Sequence, residues 1–346
     1  MIPTLFGITL ITFFIIKLAP GDPVSLKLMF AGQGISVKAL AAELAKQQSP
    51  LELPPWYQRL VDSAEKHPRL AKSIRWSGEN TIFYFKWVKN ISHLDFGLSS
   101  KDKRPVLDRI KEALPITLTL NIISIFIVYF ISIPLGIWSA VRQSSILDKI
   151  LMIQLFILYS LPEFWVATLL LVFFCGGEYL NLFPLMGYVS DGAEHLPFWS
   201  WMGNVAWHLF LPIVVYVYGG FAFLSRFARS NFLEVVRQDY IRTARAKGLP
   251  ERKVLWKHAF RNSLIPLVTL TGTLLPALMG GSVIVEQIFS IPGMGMLSFE
   301  AVLGRDYNVI MGIATISAFL TLISLLISDL LYVAVDPRIT FEAREG

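Results

Sequence analysis

The chain has 346 residues, 54% hydrophobic and only 16% charged, with a formal net charge of +6. Soluble domains carry about 25% charged residues, so this composition excludes an ordinary soluble globular protein. One cysteine, Cys175, lies inside an apolar run, which excludes a disulfide framework and a cysteine-based metal site.

A bilayer-spanning helix needs about 20 predominantly apolar residues. Six segments qualify, near 1–18, 114–141, 149–176, 207–228, 263–288 and 309–335. The expected fold is all-α: a polytopic membrane protein of about six transmembrane helices. The first helix, 1–18, has neither a basic n-region before it nor a small-residue cleavage site after it. Ala19-Pro20-Gly21-Asp22-Pro23 reads as a rigid exit turn, not a signal-peptide boundary. Residues 19–112 form an enlarged external segment, with helical spacing over Val37–Gln47 and Tyr57–Ala71 and prolines 50, 54 and 55 between them. It is too short for an independent enzyme domain with its own core. Trp56, Trp76 and Trp87 suit a membrane interface, as does Pro197-Phe198-Trp199-Ser200-Trp201. Residues 113–346 then form a core of five transmembrane helices, which includes a cytoplasmic loop at 229–262. Within the third span Pro162 precedes Glu163 and predicts a kink that frees backbone carbonyls.

Charge sets the orientation. The loop after the second span holds Arg142 and Lys149, and the loop after the fourth is strongly basic, whereas 177–206 has no Lys or Arg and three acids. Short basic loops stay in the cytoplasm, so both termini are cytoplasmic and 19–112 is outside. The external segment carries fifteen Lys/Arg against ten acids, which long segments tolerate because they translocate largely regardless of charge.

The stretch 226–266 is the most patterned of the loops, with ten Lys/Arg against three acids. Apolar Phe232, Val235, Val236, Tyr240 and Ala244 recur at helical spacing, Gly248-Leu249-Pro250 stops the helix, and a second helical run follows from Val254 to Phe260. A helix–Gly–helix hairpin with an apolar stripe is expected to dock on something soluble outside this chain.

Catalytic chemistry is not visible. No phosphate-binding loop is present, so ATP hydrolysis is not expected on this chain, and the five histidines show no metal-ligand spacing. An intramembrane enzyme would need a nucleophile or metal set inside the spans, and only isolated carboxylates occur there: Glu163, Glu286 and Asp329. Such groups mark a polar solute path, or else they bond neighbouring helices or cap broken ones. Asn121, with Thr117 and Thr119, has the same two readings, since polar residues also glue helices together.

Several motifs, in order, carry a resemblance. They are Leu18-Ala19-Pro20-Gly21-Asp22-Pro23; Phe96-Gly97-Leu98-Ser99 with Pro105-Val106 and Leu114-Pro115-Ile116-Thr117-Leu118; the hairpin Asp239 to Gly248 with His258-Ala259-Phe260-Arg261-Asn262 and Leu264-Ile265-Pro266; then Glu286, Pro292-Gly293-Met294-Gly295, Arg305-Asp306-Tyr307 and Asp336-Pro337-Arg338-Ile339. Together they resemble the membrane-spanning permease subunit of an ATP-binding-cassette importer, in the dipeptide/oligopeptide/nickel group. Where the general importer motif opens Glu-Ala-Ala, this chain has Arg242-Thr243-Ala244, similar to the peptide group's version. Residues 59–82 look like an insertion relative to compact members.

The resemblance implies a non-catalytic subunit in a bacterial inner membrane that forms half of a path for peptides, with nickel or another small solute as the alternative cargo. It implies no cofactor on this chain, with ATP and Mg on partner subunits. The implied partners are a second homologous permease, two ATP-binding cassette subunits, an extracytoplasmic solute-binding protein and membrane lipids, with no nucleic acid. Tyr240, Arg242, Thr243, Ala244, Lys247, Gly248 and His258 would form the ATPase-coupling site, and Asn121, Glu163 and Glu286 are the candidates for the solute path.

Overall fold

The computed structural model describes residues 2–18, 68–176, 179–268 and 280–335, with positions 57, 59, 63, 270 and 278 besides. Val37–Gln47, Trp56, the motif Asp336 to Ile339 and the side chains of Trp76 and Asp329 lie outside what is described. Among the described residues the regular structure is helical, with one isolated bridge between Leu98 and Pro105. In chain order the helices are α1 (Ile2–Leu18), α2 (Pro68–Ile91), α3 (Val106–Val141), α4 (Ile146–Ser160), α5 (Glu163–Cys175), α6 (Phe198–Val236), α7 (Asp239–Ala246), α8 (Glu251–Lys253), a π-helical turn Val254–Ala259, α9 (Phe260–Ser263), α10 (Val283–Ile288), α11 (Met294–Leu303) and α12 (Tyr307–Val335).

Three helices among the described residues are long and apolar enough to cross a membrane: α3, α6 and the Tyr307–Ile327 part of α12. Of the expected spans, 114–141 and 207–228 are portions of the longer α3 and α6. Both helices run beyond the apolar segments and pass through prolines, Pro115 and Pro134 in α3 and Pro212 in α6. Pro197 caps α6 at its start, and it runs without interruption to Arg237. The expected third span is not one helix. α4 and α5 meet at 94°, because Pro162 has no N–H to continue the ladder and its ring forces Leu161 into an extended conformation (φ −80°, ψ 129°). The expected fifth span is broken before α10, at Gly281-Ser282, and residues 271–277 within it lie outside the described set.

The described chain forms two compact units. The first comprises Met1–Ile110 and Ser298–Ala318. In it α1 and α2 bury Phe13, Tyr84 and Trp87 with Met311, the Phe13 and Tyr84 rings standing edge to face at 5.3 Å. Trp87 is therefore a core residue and not the interfacial tryptophan that its composition suggests. Two of the sequence motifs meet here across 207 positions. The Ser99 hydroxyl donates to Asp306 Oδ2 at 2.5 Å, the Ser100 N–H donates to the same oxygen at 2.9 Å, and Asn308 Nδ2 donates to the Leu98 carbonyl at 2.8 Å. Asp306 thus holds the 98–101 turn that leads into α3.

The second unit comprises Lys111–Leu297 and Phe319–Gly346. One apolar cluster joins Leu120, Ala167, Leu209, Leu211, Val215, Val285 and Phe289. At the other end a buried ion pair links α4 to α6: Arg229 donates through Nη2 to Asp148 Oδ2 at 2.9 Å and through Nε to Oδ1 at 3.0 Å. The Ser139 hydroxyl and the Ser144 N–H complete the shell of Asp148. Fully bonded bidentate geometry is what makes a buried carboxylate tolerable. Large apolar side chains such as Phe126, Phe130, Ile153 and Phe156 remain on the surface, as expected of helices facing lipid or other membrane helices.

The charge-based orientation makes a direct prediction. In a Cys175→Ala background, Asp191→Cys is expected to react with a membrane-impermeant thiol reagent in spheroplasts, and Gln143→Cys and Gly248→Cys only after permeabilisation. All three positions are exposed, so reactivity reports sidedness. Labelling at 248 in sealed spheroplasts overturns the orientation.

Candidate functional site

Two places concentrate the residues that the sequence singles out. The first is the α4–α5 break with the segment that faces it. Glu163 is the first residue of α5 and half-buried, with Ser282 beside it. Ser282 donates its N–H to the Tyr216 hydroxyl at 2.7 Å and caps α10 by accepting from the Val285 N–H at 3.3 Å. The Tyr218 hydroxyl donates to the Leu161 carbonyl at 3.0 Å. Of the carbonyls at the break, that of Leu158, four residues before Pro162, accepts the Leu161 N–H at 3.4 Å, and that of Leu161 is occupied by a tyrosine.

Glu286 is fully buried. Its Oε1 accepts from Thr117 Oγ1 at 3.0 Å and its Oε2 from the Met296 N–H at 2.9 Å, with Gly295 and Tyr216 close by. These partners are hydrogen-bond donors and not a cation. The N–H groups of Gly295 and Met296 are orphan donors of the first turn of α11, where the helix dipole also favours negative charge. Thr117 closes the arrangement by accepting from the Met294 N–H at 2.8 Å. A Cβ at Gly293 would stand 2.6 Å from Glu286 Oε2, so the Pro292-Gly293-Met294-Gly295 turn needs glycine there for close approach. Of the two readings of Glu286, its geometry is that of a carboxyl capping a broken segment. Asn121 is similar: it is buried and donates through Nδ2 to the Leu278 carbonyl at 2.9 Å. Glu163 alone of the three path candidates keeps appreciable exposure.

The second place is the hairpin. α7 ends at Gly248, whose φ of +73° and N–H bond to the Arg245 carbonyl at 2.9 Å make it the left-handed residue that closes a helix. Arg245 reaches across the turn to Glu251 at 2.7 Å and holds that carboxyl below its usual range. The clip is therefore present above the ordinary value of 4.5 and lost as pH falls through the lowered one. The second run is helical, as the spacing predicts, but it winds as a π-helix over Val254–Ala259.

Most of the apolar stripe does not face outward. Phe232 and Ala244 are buried and Val235 and Val236 partly so, in a cluster with Ile241, Val254 and Ala259 and with Ile137 and Ala140 of α3, while Tyr240 stands exposed. Ala244 is accordingly a packing residue, and His258 is half-buried. What stands exposed is Tyr240, Arg242, Thr243, Lys247 and Gly248. The helical spacing of the stripe fits an internal or an external partner equally well. Sequence reading missed the Asp148–Arg229 pair and the roles of Tyr216 and Tyr218, whose partners lie far away in the chain and leave no local signal. Among the described residues no group of His, Cys, Asp and Glu could hold a metal ion.

Residues 132–341 match the family model described as "Binding-protein-dependent transport system inner membrane component". The chain is 37% identical to the inner membrane ABC transporter permease protein YejB of Escherichia coli O157:H7, over 99% of this chain and 97% of that one. It is 38% identical to the oligopeptide transport system permease protein AppB of Bacillus subtilis strain 168, over 98% and 96%. Among solved structures, a chain of the MetNI methionine ABC transporter in inward-facing conformations matches with a TM-score of 0.51 and 18% identity, covering 66% of this chain and 97% of that one, and shares the fold.

Proposed function

The chain belongs to the family of binding-protein-dependent transport system inner membrane components, and within it we propose a permease subunit that forms half of the translocation path of an ATP-driven importer of di- or oligopeptides. It is a non-catalytic transport subunit of the inner membrane. The observation that carries the peptide reading is full-length likeness to a permease named for oligopeptide transport. We assign ATP and Mg to two partner ATPases, the other half of the path to a second homologous permease, and cargo delivery to an extracytoplasmic binding protein. Import requires that something bind the inward- and outward-open states differently. The exposed rim of the hairpin at Tyr240, Arg242, Thr243, Lys247 and Gly248 is the surface through which the ATPases would impose that difference. Its apolar underside is anchored on α3 and α6, so a push on the rim moves long helices and not a loose loop.

Uptake of a radiolabelled tripeptide and of nickel ions into vesicles that hold the complete complex tests the cargo. Peptide accumulation that requires ATP and the binding protein supports the reading, and nickel accumulation in its place overturns it. Glu163 tests the route. Glu163→Gln is expected to lower the initial rate of peptide uptake by about tenfold, the scale of one charge-assisted hydrogen bond of about 1.5 kcal/mol, while assembly and basal ATP hydrolysis persist. Unchanged uptake removes Glu163 from the route, and failed assembly makes it a structural residue.

A further inference from the structure

The hairpin has a second exposed face that the coupling rim does not use. Along Pro250, Arg252, Lys253, Trp256, Lys257 and Arg261 runs an open groove of about 680 Å³. Trp256 is 58% exposed and leans on Phe260, with ring centroids 5.4 Å apart, so its ring is held and not merely extended into solvent. Arg252, Lys253, Lys257 and Arg261 are all exposed, and among the described residues no acid pairs with any of them. Glu251, the only acid of that stretch, is taken by Arg245. The opposite side of the same turns, Val254 and Ala259, is buried in the chain, which fixes the direction in which the groove faces.

We propose that this groove binds the headgroups of anionic phospholipids on the cytoplasmic side of the membrane. Three observations choose lipid over a protein acid. The groove ends at Arg261, immediately before the apolar run that enters the membrane, with Ile265 exposed. An exposed tryptophan set among basic residues suits the interface, where an amphipathic ring and cations meet phosphate. The groove also lies on a different helical run from the coupling rim, so ATPase contact at α7 does not require it. Trp256 and Lys257 are both exposed within the π-helical turn Val254–Ala259, and such turns occur frequently at functional positions. Headgroup binding would tie the far leg of the hairpin to the bilayer while α7 faces the ATPase.

The test uses the whole complex in vesicles of phosphatidylcholine with phosphatidylglycerol, prepared in two forms that differ only in which lipid carries bromine near the headgroup end of its acyl chains. Bromine quenches nearby tryptophan, and the difference between the wild type and Trp256→Phe isolates the Trp256 signal. Quenching of Trp256 is expected to be greater with brominated phosphatidylglycerol than with brominated phosphatidylcholine by roughly twofold, the direction set by attraction of basic groups to anionic headgroups. The preference should fall as salt is raised. In the Lys253→Gln/Lys257→Gln variant, which keeps Trp256, the preference should disappear while quenching by phosphatidylcholine remains. Equal quenching by the two lipids in the wild type overturns the proposal. So does Trp256 that neither lipid quenches in the full complex but both quench in the isolated permease, since the groove is then covered by a protein partner.

Discussion

A Glu286→Gln complex is expected to melt well below the wild type in detergent, because the substitution strands donors in a place that water cannot reach. Glu286 offers oxygens in two directions, to Thr117 on one side and to the first turn of α11 on the other. Glutamine supplies one oxygen and one NH2 group. Either the Gly295 and Met296 N–H groups or the Thr117 hydroxyl must then face a donor. Each buried donor left without an acceptor costs about 1–3 kcal/mol. The loss of negative charge at the helix N-terminus adds to this. The Pro292-Gly293-Met294-Gly295 turn should loosen with it, since Gly293 is fitted against the carboxyl with no room for a Cβ. Glu163→Gln, the same chemical change at a half-buried position, is the control, and its melting temperature should stay close to the wild type. Differential scanning fluorimetry of both variants decides: equal melting for Glu286→Gln and the wild type, with full assembly, would sink the capping role.

This contrast marks where sequence reading succeeds and where it stops. Apolar length and basic loops locate the spans and the hairpin, because both depend on composition over windows longer than any single contact. Pro162 announces the α4–α5 break, although neither its sharpness, 94° rather than a kink, nor the bond from Tyr218 of another helix to the Leu161 carbonyl can be read from the local sequence. The Gly248 stop is local chemistry, and it stands where the sequence places it. The partners of carboxylates are not local. Glu286 and Asp306 look alike in the sequence as acids near apolar segments, yet one caps α11 and the other holds a turn about two hundred residues upstream. Asp148 is legible only as an acid in the first turn of α4, near the capping residue Ser145; its ion pair with Arg229 of α6 leaves no local signal. The direction of the hairpin's apolar stripe was illegible for a related reason. Periodicity says which residues share a face, and burial by α3 is a tertiary fact.

Gly248→Glu is expected to leave the complex assembled in the membrane while abolishing most of the stimulation of ATP turnover by loaded binding protein. The reasoning begins with what the substitution does not disturb. Among the described residues a Cβ at Gly248 meets no atom within 4 Å, so the folded hairpin has room for a side chain. The remaining penalty is the left-handed backbone, about 1–2 kcal/mol for a residue with a Cβ. Much of the hairpin's anchoring is distant from that turn, in Phe232, Ile241, Val254 and Ala259. The space beyond Gly248 is therefore empty in the subunit alone, and on our reading it is filled by the ATPase. A glutamate there puts bulk and negative charge into the contact, next to Lys247 and on the same rim as Arg242. Coupling between binding-protein engagement and ATP hydrolysis should fall by about 5- to 150-fold, the range of a coupling free energy of about 1–3 kcal/mol. Gly248→Ala separates the two effects, because it carries the same backbone strain without the bulk or charge. If alanine preserves stimulation and uptake while glutamate loses both, the rim is the contact. If alanine is as damaging as glutamate, strain in the turn is the cause. Normal stimulation and uptake in the glutamate variant would place the ATPase contact elsewhere on this chain.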